Sequence, residues 1–218
     1  MIGGLRYTES EKMGSPNIEN FRNIKPQKEI SPTEALAKME TSIKEIVEQD
    51  KKYYTDYTDR LNLTPSEQTT EGKWEGERGE SKFIPSGETD RSIAAKEALA
   101  EKGMDGIEYR QAEPDFSKCA EATVQIENMT PYRPDNFAQA DEKCAEQWNK
   151  IKKDNRDDWT ADDVKRWRLE NSYTWHECCD TRTMLLVSRD IHSFFRHSGG
   201  VAECKAMLES NAGGIFDE

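Results

Sequence analysis

With 218 residues and a formal net charge of −12, the chain is long enough for one domain plus an appended arm, and too acidic to grip a polyanion through a broad basic face. Apolar residues make up 34% and charged residues another 34%, and the mean hydropathy of −0.98 predicts a core confined to part of the length. No stretch approaches the roughly 20 apolar residues of a membrane span, and the N-terminus carries no apolar segment of a secretory signal.

Residues 1–30 are polar, with Gly, Pro and Asn scattered among them, and read as a flexible leader. Ser31-Pro32-Thr33-Glu34 is a capping box with proline at the first helical position. Leu36, Met39, Ile43, Ile46, Tyr53, Tyr57 and Leu61 then recur at three- and four-residue steps, which predicts an amphipathic helix over 31–63 ending before Thr64-Pro65. Its narrow stripe suits a helix that packs on a partner or on the flank of the domain. Residues 64–87, rich in Gly, Ser, Thr and Glu, read as linker or loop, with Trp74 and Phe83-Ile84-Pro85 pinned to a surface, and a boundary is expected near residue 70.

The remaining residues, 88–218, are expected to form an α+β domain, mostly helical. An Ala/Leu/Glu/Lys run from Ser92 to Lys102 predicts a short helix stopped by Gly103; Gly106–Tyr109 and the alternating Thr123–Ile126 predict strands. Phe137–Lys152 is helical, with Ala140, Cys144 and Trp148 at four-residue steps, and Thr160-Ala161-Asp162-Asp163 caps a further helix carrying Val164 and Trp167. Both tryptophans read as core.

Chemistry concentrates near the C-terminus. The chain has three histidines, His176, His192 and His197, and histidine is the common neutral-pH metal ligand and general base. Ser172–Glu177 reads as a strand, Cys178–Thr183 as a turn, Met184–Val187 as a buried strand, and Ser188 as the cap of a helix over Arg189–His197. At 3.6 residues per turn, His192 and His197 on one regular helix cannot share a face. They converge only if His197 lies just past the helix end, where Ser198-Gly199-Gly200 lets the backbone turn back. Two imidazoles with His176 or Glu177 from the facing strand then hold a divalent ion with open positions, and the other member of that doublet is left to activate water. The five cysteines are odd in number and lack a Cys-x-x-Cys spacing, so they form neither a disulfide framework nor a thiolate zinc site and suit a reducing compartment. Cys178 and Cys179, beside His176, are expected to be bystanders.

Trp175-His176-Glu177, the strand Thr183-Met184-Leu185-Leu186-Val187, Ile191-His192 and His197-Ser198-Gly199-Gly200 resemble the HNH nuclease superfamily, in particular the toxin branch with a Trp-His-His motif. The segments Trp74–Ser81, Pro114-Asp115-Phe116-Ser117, Met129-Thr130, Asn136-Phe137, Ala140-Asp141 and Trp159-Thr160 are similar to those preceding this motif in bacterial secreted polymorphic toxins, so the resemblance runs from about Gly72 to Lys205. It implies a ββα-metal motif at 172–200 that holds one divalent ion (Mg, Mn, Ni or Zn) against the scissile phosphodiester. His192 would be the helix ligand, and His197 a second ligand or a phosphate contact. Glu177 stands where the motif has a second histidine, so the general base is Glu177 or His176, with His176 favoured and Trp175 and Asp180 in support. Arg182, Arg189 and Arg196 are candidate phosphate contacts.

The function implied is a metal-dependent endonuclease hydrolysing DNA, or RNA, without sequence preference. It would be an antibacterial toxin secreted without a signal peptide and acting in the target-cell cytoplasm, or otherwise a cytoplasmic protein, restrained by an immunity protein. The alternative is a non-catalytic zinc-binding interaction module, which needs Cys178 or Cys179 as a fourth ligand.

Overall fold

The computed structural model describes residues 53–213, all within one compact unit that spans Lys51–Glu218; the expected leader and the helix over 31–52 lie outside the described residues. In chain order, helix α1 (Tyr57–Leu63) leads to strands β1 (Gly72–Trp74) and β2 (Lys82–Pro85), then helix α2 (Asp90–Ala100) and strands β3 (Ile107–Arg110), β4 (Glu113–Pro114) and β5 (Ala122–Gln125). Helices α3 (Arg133–Ile151) and α4 (Ala161–Glu170), strands β6 (Tyr173–Glu177) and β7 (Thr183–Ser188), and helices α5 (Arg189–Phe194) and α6 (Gly200–Gly213) follow. The fold is α+β, with two antiparallel sheets of order β1-β2-β3-β4 and β5-β7-β6.

Strand β7 organises the core. Successive side chains leave a strand on opposite faces, and in β7 both faces are buried, which is why Met184-Leu185-Leu186-Val187 reads as an unbroken apolar run. Met184 and Leu186 join a cluster with Val124, Trp175 and the α3 residues Ala140, Cys144 and Trp148. Leu185 and Val187 join another with Phe83, Leu99, Phe116, Ile191 and Phe195. The four-residue spacing on α3 and the Thr160 capping box of α4 are observed as expected.

Two expectations fail. A single helix does not cover 31–63: Asp56 has extended backbone (φ −70°, ψ 144°), and its side chain accepts from the Thr58 amide and caps α1, which begins at Tyr57. Residues 64–87 are not a plain linker either, because β1 and β2 pair with Trp74 opposite Phe83, and β2 then pairs with β3. Phe83 is fully buried, and Trp74 packs on both Phe83 and Tyr109 with ring centroids about 5 Å apart. These strands are three and four residues long, too short to show alternation amid polar turn residues, and tertiary packing fixes them.

Candidate active site

Strand alternation splits the His176-Glu177 doublet. Trp175 and Glu177 stand opposite Leu186 and Met184 on one face of the sheet, and His176 stands opposite Leu185 on the other. Ser188 caps α5 as expected, its hydroxyl accepting from the Asp190 amide, but the helix ends at Phe194 rather than His197. The backbone leaves the helix at Phe195 (φ −81°, ψ 85°), and the Tyr109 hydroxyl donates to the Arg196 carbonyl at 3.0 Å. His197 therefore sits beyond the helix and turns towards His192.

The glycines that follow act by smallness. Neither Gly199 nor Gly200 has a positive φ, so backbone freedom is not what the site uses. A Cβ on Gly199 would lie 2.8 Å from the Glu177 carbonyl oxygen, and one on Gly200 would lie 2.5 Å from that of Cys178 and collide with the Met129 sulfur. The start of α6 is thus pressed against the end of β6.

One ligand atom from each of His176, His192 and His197 lies within 4.8 Å of the other two. The ring centroids are 5.4, 4.8 and 5.0 Å apart, and all three rings pack on the fully buried Phe116, at 4.9, 5.8 and 5.5 Å respectively. Burial, the neighbouring His197 and the Arg133 charge hold the His192 pKa down at about 3, and burial likewise lowers that of His197, so both rings are neutral and have a lone pair at neutral pH. His197 Nδ1 meets the Phe195 carbonyl at 2.6 Å. A carbonyl only accepts, so Nδ1 carries the proton and Nε2 has the lone pair.

Glu177 is 4% exposed; its Oε1 accepts from Asn136 Nδ2 at 3.0 Å, and Arg133 Nε lies 3.1 Å from Oε2. Burial raises its pKa, against the opposing pull of Asn136 and Arg133. His176, His192, His197 and Glu177 all line one cavity of about 300 Å³, with Arg133, Arg196 and Leu63 also at its wall.

The other expected residues are placed as follows. Trp175 is buried, and its indole N–H donates to Asp141 Oδ1 at 2.8 Å. Asp180 is exposed and shapes the β6–β7 turn, accepting from the Arg182 and Thr183 amides and the Thr183 hydroxyl. Of the three candidate arginines only Arg196 reaches the cavity; Arg182 lies at the N-terminal end of β7, and Arg189, at its other end, donates to the Tyr173 carbonyl. Phe116, Arg133 and Asn136 escaped the reading of single residues. Phe116 and Asn136 fall in segments quoted for the resemblance, whereas nothing in the sequence ties Arg133 to Glu177, 44 positions later.

A strand-strand-helix unit that brings three imidazoles together, with a buried carboxylate on the same cavity, has a donor set that could hold a divalent cation. Residues 106–199 match the Colicin-DNase family, described as the DNase/tRNase domain of colicin-like bacteriocin. The match ends at the glycine that follows the last histidines and supports a nuclease toxin domain, which takes nucleic acid as its substrate. No curated protein and no solved structure matches the chain. Among the described residues, no helix is long and apolar enough to cross a membrane.

Proposed function

We propose that the domain is an HNH-type, metal-dependent endonuclease that hydrolyses DNA phosphodiester bonds as an antibacterial toxin. The observation that carries this reading is the convergence of His176, His192 and His197 at one end of a cavity whose wall also contains Glu177. Three imidazole donors suit a borderline divalent ion such as Mn, Ni or Zn, with Mg the harder alternative. When bound, such an ion polarises the phosphate and stabilises the leaving oxygen.

The chain's own groups supply the rest. His192 and His197 would hold the ion, and His176, with a ring nitrogen within 4.8 Å of theirs, fits as a third ligand better than as the base. Glu177 then takes the proton from the attacking water: burial raises its pKa towards neutrality, where a carboxylate is a better base. Asn136 fixes one carboxylate oxygen, and Arg133 faces the other from an exposed position that also meets a phosphate. Arg196 offers a second phosphate contact across the cavity. Trp175 positions β6 through Asp141 and has no place in the chemistry itself.

As a toxin, the protein acts inside a target cell, and its producer carries an immunity protein that covers this cavity. The test is plasmid nicking by purified protein with Mg, Mn, Ni or Zn, with and without EDTA. Metal-dependent, chelator-sensitive nicking is expected, and Glu177→Gln should lower it about 10²- to 10⁴-fold without loss of metal binding. Absence of nicking under every metal, together with a zinc ion that survives dialysis, would favour the interaction-module reading.

A further inference from the structure

We propose that Glu113, His176 and Cys178 form a second cation site, selective for a thiophilic divalent ion such as zinc, whose occupancy competes with the three-histidine group for His176. A carboxylate oxygen of Glu113, a ring nitrogen of His176 and the sulfur of Cys178 lie within 4.8 Å of one another. The shared imidazole couples the two sites.

The donors set the selectivity. A mixed oxygen, nitrogen and thiolate set suits zinc, whereas magnesium and calcium avoid sulfur. On binding, the thiol proton passes to solvent as the sulfur–metal bond forms, and no electrons are transferred. None of the five cysteines is in a disulfide.

The backbone fixes the donors before any ion arrives. The Cys178 amide donates to the Thr183 carbonyl at 3.0 Å, and the Cys178 carbonyl accepts from the Thr181 amide at 3.1 Å. Glu113 lies in β4, where Oε1 accepts from the Cys179 amide at 2.8 Å and Oε2 from the Tyr53 hydroxyl at 2.9 Å. Hydrogen-bonded backing of this kind is usual for ligating carboxylates. Cys179 is assigned elsewhere, its thiol donating to the Ser198 carbonyl. The half-buried thiol of Cys178 is the member of the pair that belongs to the site.

The site stands on its donor atoms alone; its consequence for catalysis rests on the nuclease reading. The full-length protein, reduced and stripped of metal, is titrated with cobalt(II). A thiolate-to-cobalt charge-transfer absorption is expected in the wild type, in Cys179→Ser and in a His192→Ala/His197→Ala variant, with its loss in Cys178→Ser. Zinc should abolish the band, and adding Glu113→Gln to the double-histidine variant should weaken zinc binding at least roughly tenfold, the smallest loss usual for residues that support a ligand.

In the wild type itself, zinc should shield Cys178 from alkylation, read by peptide mass spectrometry. A wild type without the band, a band that survives Cys178→Ser, or alkylation unaffected by zinc would overturn the proposal. These readouts register the cysteine whether or not the protein cuts nucleic acid. If it does, zinc should inhibit magnesium-driven nicking in the wild type and much less in Cys178→Ser, and equal inhibition of the two would refute the competition.

Discussion

The buried acid at position 141 offers a sharp test of how the fold supports the site. Asp141 Oδ1 accepts from Trp175 Nε1 at 2.8 Å and from Arg168 Nε at 2.9 Å, and Oδ2 accepts from Arg168 Nη2 at 3.0 Å. The two ionic side chains are 4% and 8% exposed. Asp141→Ala leaves a guanidinium nearly buried with no counter-charge and strands the indole N–H of the residue preceding His176. Breaking a buried pair from one side costs about 3–5 kcal/mol, a large part of the roughly 5–15 kcal/mol that stabilises a domain. Replacing both partners by apolar residues, Asp141→Leu with Arg168→Met, removes the uncompensated charge and leaves the indole donor unsatisfied, a cost of about 1–3 kcal/mol. The double variant should therefore be about 2 kcal/mol more stable than Asp141→Ala in urea denaturation, despite carrying one more substitution. A single-variant loss under about 1 kcal/mol, or a double variant no more stable than the single, would show that the ion pair does not carry this energy.

Three further outcomes are expected. Gly200→Ala must push its Cβ against the Cys178 carbonyl and the Met129 sulfur, so it should cost about 1–3 kcal/mol and weaken metal binding by the histidine group; calorimetry of both would expose an unchanged protein as a refutation. Glu203 is fully buried, and its carboxylate accepts from the Tyr54 amide at 2.6 Å, the Thr55 amide at 3.1 Å and the Thr55 hydroxyl, so Glu203→Ala should speed hydrogen exchange at residues 54 and 55 while β7 amides stay protected. For Glu121, burial raises the pKa, but Lys153 at 2.7 Å and Lys102 at 3.2 Å outweigh it, and the folded value lies below the unfolded one. The ionised pair therefore stabilises the fold above the ordinary carboxylate value and loses that contribution as pH falls through the depressed one, and Lys153→Met should flatten the acid side of the stability profile measured by denaturation between pH 3 and 7.

What the sequence disclosed follows the range of the interactions involved. The α3 stripe, the Thr160 and Ser188 caps and the buried β7 run depend on neighbours within a few positions, and they were legible. Contacts over long separations were not. The end of α5 is decided by Tyr109 reaching Arg196, 87 positions away, and the placement of Glu177 by Asn136, 41 positions away. Phe116 is one apolar residue among many until the fold brings three imidazoles onto its ring. The glycine pair was recognised for the wrong property, since turning freedom and lack of a side chain leave the same letter in a sequence, and only the approach of the Cys178 and Glu177 carbonyls tells them apart.

The separation of His176 from Glu177 explains how one short strand can serve two purposes in the proposed reaction. Adjacent strand residues point to opposite faces, so a ligand and a base in consecutive positions cannot compete for the same ion. The cost is that both must still reach one cavity, and at the end of β6 both His176 and Glu177 line it. Glutamate at the second position suits this arrangement: Asn136 and Arg133, both from the first turn of α3, each engage one of its oxygens, whereas an imidazole offers a single lone pair. The departure from the Trp-His-His pattern and the first turn of α3 are on this argument a matched pair, and exchanging Glu177 for His without altering Asn136 and Arg133 should leave the base poorly oriented.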